Sequence, residues 1–292
     1  MISSVKQASI GQGLMSKRDK KSSRELGLEV GALCGRHFFK VEHLHYGLWT
    51  DGLEVDVANL PAAQERYTEY LLGHIPEGVK TVLDVGCGTG KNARRLLDKG
   101  YKVDCVSPSS FLSERTTELL GDASTVFDCT YEELETERRY DCIMFSESFQ
   151  YVNLEKAIEQ TVRLLNGGGY LLICDVFRKD VEGKSAIGGG HKLSKFYEKV
   201  EKAGFEVIAD EDITAQTAPT IEILDDAMRK VAVPALDSSL AFLRGRYPVM
   251  TRLLCWRYGK KLDKIRAKYM DGRRTSDDFR QYKTYRLFLC RK

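Results

Sequence analysis

The stretch Thr81-Val-Leu-Asp-Val-Gly-Cys-Gly-Thr-Gly90 decides how the rest of this 292-residue chain is read. Val82, Leu83 and Val85 form a β-run that feeds directly into glycines at alternate positions, Gly86, Gly88 and Gly90. The segment from Lys91 to Lys99 follows at once and reads as a helix. A strand that stops in glycines and restarts as a helix gathers bare backbone N–H groups and a helix N-terminus at one point, which suits a nucleotide-like ligand. A dinucleotide fingerprint of the form G-x-G-x-x-G needs glycine at position 91, where this chain has Lys91.

Downstream of this point strands and helices alternate. Strands are expected over 81–85, 101–106, 123–128, 140–146, 169–176, 205–212 and 284–291. Helices are expected over 154–165 and 193–203, with a turn at Asn166-Gly-Gly-Gly169 before the fifth strand. Helices between strands of this kind require right-handed crossovers, hence a doubly wound, mostly parallel α/β sheet of seven strands. Upstream, residues 59–75 read as an amphipathic helix with Pro61 in its first turn. The interval 213–283 is too long for a connector and holds helix-like segments over 223–233, 236–242 and 250–270, with Pro234 and Pro248 as breaks. Four parts follow: a mobile basic segment over 1–35, a helical cap over 36–80, an α/β core over 81–212 and 284–292, and a helical lid over 213–283.

The pattern Asp84-x-Gly86-x-Gly88-x-Gly90 resembles motif I of the class I S-adenosylmethionine (SAM) methyltransferases, and the strand order with a C-terminal last strand resembles their fold. The resemblance implies SAM as cofactor, its methionine part along the loop from Asp84 through Gly86, Cys87 and Gly88 to Gly90, with Asp84 near the amino group. Relatives end the second strand in an acid that grips the ribose hydroxyls; here that position is Ser107, which exchanges charge-assisted hydrogen bonds for neutral ones. At the end of the third strand the resemblance implies Asp128 on the adenine amino group, with the Cys129 backbone facing the ring; a strand-end Asp capping the helix near Tyr131 is the other reading. Ser146 and Glu147, at the carboxyl end of the fourth strand, are expected to face the methyl group and the substrate.

Within that fold the chain looks closest to the tocopherol and sterol methyltransferase-like branch, which acts on small, often apolar molecules. His45-Tyr-Gly-Leu-Trp49, the run from Ala203 to Thr214 followed by Ala218-Pro219, and the long insertion before the last strand carry the likeness. Relatives often place Glu-His after the fourth strand, where this chain has Gln150-Tyr151. The candidate acid–base residues are therefore Glu147, His191, His45 and Glu42, with Tyr151 placed to orient an acceptor and Tyr46 and Trp49 as walls of the cofactor pocket. His191 follows Gly188-Gly-Gly190, a loop suited to gating; a packing role is the other reading of any one histidine.

Composition narrows the partners. Hydrophobic residues make up 42% and charged residues 30%, as in a soluble globular chain, and no run approaches a membrane span. Residues 1–24 show no apolar core with a cleavage site, so no secretory signal is read there. Eight scattered cysteines without C-x-x-C pairs suggest reduced thiols in a cytoplasmic protein and no zinc site. Net charge is +3, but Met1–Arg24 carries +5 and Arg244–Arg274 carries +9, leaving −11 on the remainder. A basic stretch with interleaved apolar residues over 244–274 can lie on an anionic membrane, which suits a lipid-like, sterol-like or quinone acceptor. It can also attract nucleic acid, although no RNA- or DNA-binding module accompanies it, and no obligate protein partner is evident. The reading that results is a methyltransferase for a small, amphipathic or lipid-like acceptor. A nucleic-acid methyltransferase, or a SAM-binding protein without transferase activity, stays open beside it.

Overall fold

A computed structural model of the protein describes Gly35, Val41, residues 43–270, Gly272 and residues 274–292. The expectations for the basic segment over 1–34, for 36–40 and for Glu42 lie outside the described residues. The strands are β1 (Thr81–Val85), β2 (Lys102–Ser107), β3 (Val126–Asp128), β4 (Tyr140–Ser146), β5 (Leu165–Arg178), β6 (His191–Lys192), β7 (Glu206–Asp212) and β8 (Lys283–Arg291). They form one sheet in the order β3-β2-β1-β4-β5-β8-β7, with the two-residue β6 paired to β5. β1 to β5 run parallel, and β8 runs antiparallel between β5 and β7. The doubly wound, mostly parallel sheet read from the sequence is present, with β6 as a short addition.

The central strands β1 and β4 and the second half of β5 are mostly apolar and buried because both faces of the sheet are covered there, whereas the edge strand β7 is exposed along most of its length. On one face Val82, Cys105, Cys142, Met144 and Leu172 pack under Tyr67 and Leu71 of α1 (Leu60–Gly73) and under Ala93 and Leu96 of α2 (Lys91–Asp98). On the other, Leu83, Val85, Ile143, Phe145 and Ile173 meet Ala157 and Ile158 of α4 (Leu154–Leu164) and Phe196 and Val200 of α5 (Leu193–Lys202). α3 (Ser110–Leu120) lies between β2 and β3 in the chain and packs on both. Cys105, Cys142 and Cys174 act as small apolar side chains in this core, all three as buried free thiols.

Three local expectations are corrected. Asn166 and the glycines at 167–169 do not precede the fifth strand; they lie inside β5, whose partner on β4 jumps from Leu165 opposite Tyr140 to Tyr170 opposite Cys142. The turn chemistry survives as a bulge, with Gly168 at φ +75°. The loop before α5 pairs its last two residues as β6 with Phe177 and Arg178. Pro234 does not break a helix: π-helical turns at Met228–Ala232 run directly into α8 (Val233–Arg246), and this widened stretch lies where the proline would interrupt the i to i−4 ladder. Before and after α8 the 213–283 interval holds α6 (Thr214–Thr217), α7 (Pro219–Ala227), α9 (Pro248–Met270) and α10 (Ser276–Tyr282).

Phe196 sits among Phe149, Phe177 and Phe288 with ring centroids 5.8, 5.1 and 4.6 Å away, and none of the four is exposed. Phe196→Ala is expected to lower unfolding free energy by about 3–5 kcal/mol through lost burial and a cavity. Urea denaturation is expected to show this as a lower midpoint with an unchanged slope.

Candidate functional site

The site begins where β1 runs out. Gly86 N–H donates to the Val106 carbonyl at 2.8 Å, which ties the loop to β2, and Ser148 Oγ donates to the Val85 carbonyl. Gly86 has φ +73°, and a Cβ there would stand 2.4 Å from the Ser148 Cβ, so the turn and the neighbouring loop both require glycine. Gly90 leads into α2 at φ +79°, with Thr116 of α3 filling the space a side chain would need. Thr116 Oγ1 also donates to the Gly88 carbonyl at 3.2 Å.

A cavity of about 350 Å³ opens over this loop. Its floor is Asp84, Gly86, Cys87, Gly88, Thr89, Lys91 and Asn92; one wall is Ser107, Pro108, Ser109 and Leu112; the other is Ser146, Glu147, Ser148 and Tyr151; His43, Leu44 and His45 complete it. Three separate strand ends, those of β1, β2 and β4, thus meet at one place, as ligand sites of open α/β sheets do.

The segment 43–49 is held from two sides. Leu48 N–H donates to the Ala63 carbonyl of α1 at 2.8 Å, and Gln64 Nε2 donates to the His45 carbonyl at 2.5 Å. Gly47 N–H and Trp49 Nε1 both donate to Thr220 Oγ1 of α7, at 3.1 and 2.9 Å. No described residue of 213–283 lines the cavity itself; those helices reach it through this segment.

Of the residues singled out in the sequence, Asp84, Gly86, Cys87, Gly88, Ser107, Ser146, Glu147, Tyr151 and His45 line the cavity together. Gly90, Asp128, Cys129, Tyr46 and His191 do not line it. Asp128 is exposed and accepts from Ser110 Oγ and Ser113 Oγ at 3.2 and 3.1 Å, so its carboxylate serves the first turn of α3 and not the turn at Tyr131. Cys129 is half-buried, and burial raises its thiol pKa. Tyr46 turns its ring toward Tyr285 and Phe279, at 5.8 and 6.4 Å. His191 has Nε2 2.9 Å from the Phe149 carbonyl, which it meets as donor, and braces the turn before Tyr151. Sequence reasoning passed over Asn92, Ser109, Leu112 and Ser148; each lies within a few residues of a named one, but only the folded loops turn them inward.

Electrostatics separate the candidates. His45 is buried and stacked 4.2 Å from Tyr67; Nδ1 lies 2.8 Å from the Tyr46 carbonyl and Nε2 3.2 Å from Thr68 Oγ1. Burial, with His43 beside it, pushes its pKa down to about 3, so it stays neutral with both nitrogens engaged. Burial also lowers the pKa of His191. Glu147 stands just past β4 at φ +54°, a conformation rare for a side-chain-bearing residue. Its Oε1 accepts from Tyr46 N–H at 2.5 Å and from Tyr285 O–H at 2.6 Å. Burial nevertheless pushes its pKa up to about 8. Asp84, 1% exposed, is pushed up to about 7 by burial alone.

Two polar atoms of cavity residues are buried with no hydrogen-bond partner among the described residues, Asp84 Oδ2 and Ser109 Oγ. SAM fits this donor set, because it brings a cationic amine and sulfonium to a buried carboxylate and ribose hydroxyls to a hydroxyl-lined wall. A doubly wound sheet with its last strand reversed and this loop over β1 defines a SAM-dependent methyltransferase. The methyltransferase-domain family matches residues 58–210, just over half of the chain, and the protein belongs to that family.

The methyltransferase GfsG of Streptomyces halstedii is 27% identical over 200 residues, covering 61% of this chain and 71% of that protein. Among solved structures, the [4+2]-cyclase SpnF superposes with a TM-score of 0.65 at 18% identity, covering 92% of this chain and 95% of its own. Geranyl diphosphate C-methyltransferase from Streptomyces coelicolor, solved with Mg2+, geranyl diphosphate and S-adenosylhomocysteine, gives 0.60 at 16%, covering 85% and 91%. Likenesses at this identity concern the fold.

The raised Asp84 pKa gives a signed expectation. The folded protein holds a proton there that the unfolded chain releases near pH 4, so this group's contribution to stability falls as pH rises from about 4 to 7. Asp84→Asn is expected to flatten that slope and raise the melting temperature of the ligand-free protein at pH 8. The same variant is expected to bind SAM ~10–100-fold more weakly, having lost an anionic partner. Thermal melts across pH and calorimetric titration with SAM check the two halves separately.

Proposed function

We propose that the protein methylates a small, amphipathic or lipid-like acceptor and that Glu147 takes the acceptor's proton. The observation that carries this is the fixing of Glu147 at the mouth of β4, where Tyr46 and Tyr285 both bond Oε1 and leave Oε2 for a ligand. SAM, when bound, supplies an activated methyl on a sulfonium and leaves as S-adenosylhomocysteine. An acceptor that attacks through oxygen, nitrogen or an activated carbon sheds a proton as the new bond to methyl forms, and a buried carboxylate beside the cavity can accept it. His45 and His191 have their ring nitrogens turned to protein atoms, and Tyr151, 60% exposed at the rim, is placed to orient the acceptor.

Incubation with methyl-labelled SAM and fractionated cell extract tests the reading. Label is expected in the lipid or small-molecule fraction; label confined to nucleic acid, or none in any fraction, overturns it. With a Glu147 pKa of about 8 in the ligand-free protein the carboxylate form grows as pH rises, so kcat/KM for SAM is expected to climb through that region, and kcat at saturating SAM to climb at lower pH. Glu147→Gln is expected to lower kcat ~100-fold or more and abolish the climb while SAM still binds.

The acceptor class draws support from α9. Thr251 is buried, whereas Val249 and Trp256 are 82% and 79% exposed. Exposed Leu253 and Phe242 continue the apolar surface, and exposed Arg252, Arg257, Lys260 and Lys261 lie among them. Among the described residues no helix is long and apolar enough to cross a membrane. Interleaved apolar and cationic side chains instead suit contact of 244–274 with an anionic membrane surface in a cytoplasmic setting. Flotation with vesicles containing phosphatidylserine is expected to capture the wild type and to lose it with Leu253→Glu/Trp256→Glu. Equal capture of the two proteins, or salt-sensitive RNA binding through the same residues, overturns this part.

A further inference from the structure

Resting on SAM as the occupant of the cavity, we propose that Ser109, and not Ser107, is the hydroxyl that hydrogen-bonds the ribose edge. Ser107 stands at the end of β2, but its Oγ is already held: it accepts from Ser109 N–H at 3.3 Å and lies 3.5 Å from the Ser109 carbonyl. Ser107 therefore shapes the Ser107-Pro108-Ser109 turn with its own side chain, a local use common for serine at such places. The wall where relatives carry an acid presents a second serine.

Ser109 is the N-cap residue of α3, with extended dihedrals of φ −104° and ψ 108°. A serine there ordinarily accepts from a backbone N–H in the first turn. Here it makes no such bond, and the helix takes only its carbonyl, from Ser113 N–H at 2.8 Å. The hydroxyl is left without any partner among the described residues although Ser109 is only 7% exposed. A buried hydroxyl without a partner costs free energy, and such groups are rare in folded chains. This one belongs to a residue lining the cavity. A serine χ1 has three staggered positions, and turning Oγ toward a ligand breaks no existing bond. Asp84 Oδ2, on the neighbouring strand β1, is the other unpartnered atom among the cavity residues. Of the two unpartnered atoms, the carboxylate suits a cationic group and the neutral hydroxyl suits a sugar hydroxyl, which can donate and accept. Unlike a carboxylate, this hydroxyl brings no charge to the ribose end, so the nucleoside is held there by neutral hydrogen bonds.

Calorimetric titration with S-adenosylhomocysteine and with its 2′,3′-dideoxyribose analogue tests the assignment. Ser109→Ala is expected to bind S-adenosylhomocysteine about 2–10-fold more weakly than wild type, the range for one neutral hydrogen bond. The same variant is expected to bind the dideoxy analogue as wild type does, because the partner hydroxyls are gone. Ser109→Thr, which keeps a hydroxyl and an N-cap side chain, is expected to restore the affinity. Thermal melting of ligand-free Ser109→Ala is expected to show no loss of stability, since the removed oxygen made no bond. Unchanged S-adenosylhomocysteine affinity in Ser109→Ala overturns the assignment, and so does an equal loss for both ligands, which marks a general effect on the loop. Failure of the wild type to bind S-adenosylhomocysteine strikes the SAM reading itself and is distinguishable from either.

Discussion

Two carboxyl groups are buried and a third is half-buried near the carboxyl ends of neighbouring parallel strands, and the chemistry of the site rests on that desolvation. Asp84 lies on β1, Glu147 just past β4 and Asp175 on β5, and these strands are adjacent in the sheet. Burial pushes their pKa values to about 7, 8 and 7. An ionised carboxylate without compensation is too costly to bury, so each group must carry a proton or be surrounded by donors. The three differ in how far that is done. Asp175 accepts from Gln150 N–H and Nε2 and from Val176 N–H, which occupies both oxygens. Glu147 has two donors on one oxygen, and Asp84 Oδ2 has none. The sequence from saturated to unsaturated separates a group that fixes the Phe149–Tyr151 turn from groups left to answer a ligand.

The Glu147 anchor also explains how distant parts of the chain close one pocket. Tyr46 comes from the N-terminal segment and Tyr285 from β8, and the Tyr285 hydroxyl lies 3.1 Å from that of Tyr67 on α1. Tyr67 O–H in turn donates to the Cys174 carbonyl on β5. A positive φ at a side-chain-bearing residue costs of order 1–3 kcal/mol and persists only where the surroundings over-determine it. Here the N-terminal segment and the strand neighbouring β5 meet at one carboxyl, and α1 braces it through Tyr285. Thr220 performs the matching task on the other side of the 43–49 segment, where it takes both Gly47 N–H and the Trp49 indole N–H.

How much of this was legible in the sequence follows from how local each signal is. The Asp84–Gly90 loop announces itself because strand, glycines and helix are contiguous, and Ser146 and Glu147 follow from where an apolar run ends. Tyr285 and Tyr67 meet from 218 residues apart, and no spacing rule brings them together. Ser109 stays hidden for a different reason: the helix it precedes is not read from the sequence, and the idleness of its hydroxyl shows only once the hydrogen bonds are traced. Asp128 shows the converse, since a strand-end acid looks free for a ligand until Ser110 and Ser113 are found on it. The glycines at 167–169 and Pro234 misled by type, because the same residues that end an element can also be absorbed as a bulge or a π-helical turn.

The electrostatics of the two unsaturated carboxyls impose an order on the proposed reaction. A cation entering the cavity favours the ionised form of any acid it approaches, so it draws the Asp84 and Glu147 pKa values down together. Linkage makes the effect reciprocal: whatever ionises these groups strengthens the binding of the cation by the same factor. In the ligand-free protein near neutral pH, Glu147 is mostly protonated and is no base. On the proposed reading it becomes one only when the positive charge of the methyl donor stands nearby, and it loses that charge's support as the sulfonium becomes a neutral thioether. The proton accepted from the substrate then meets a site in which the neutral carboxyl is again the favoured form. On the proposed reading, burial that weakens Glu147 as a base in isolation would confine its basicity to the interval in which the methyl donor is bound.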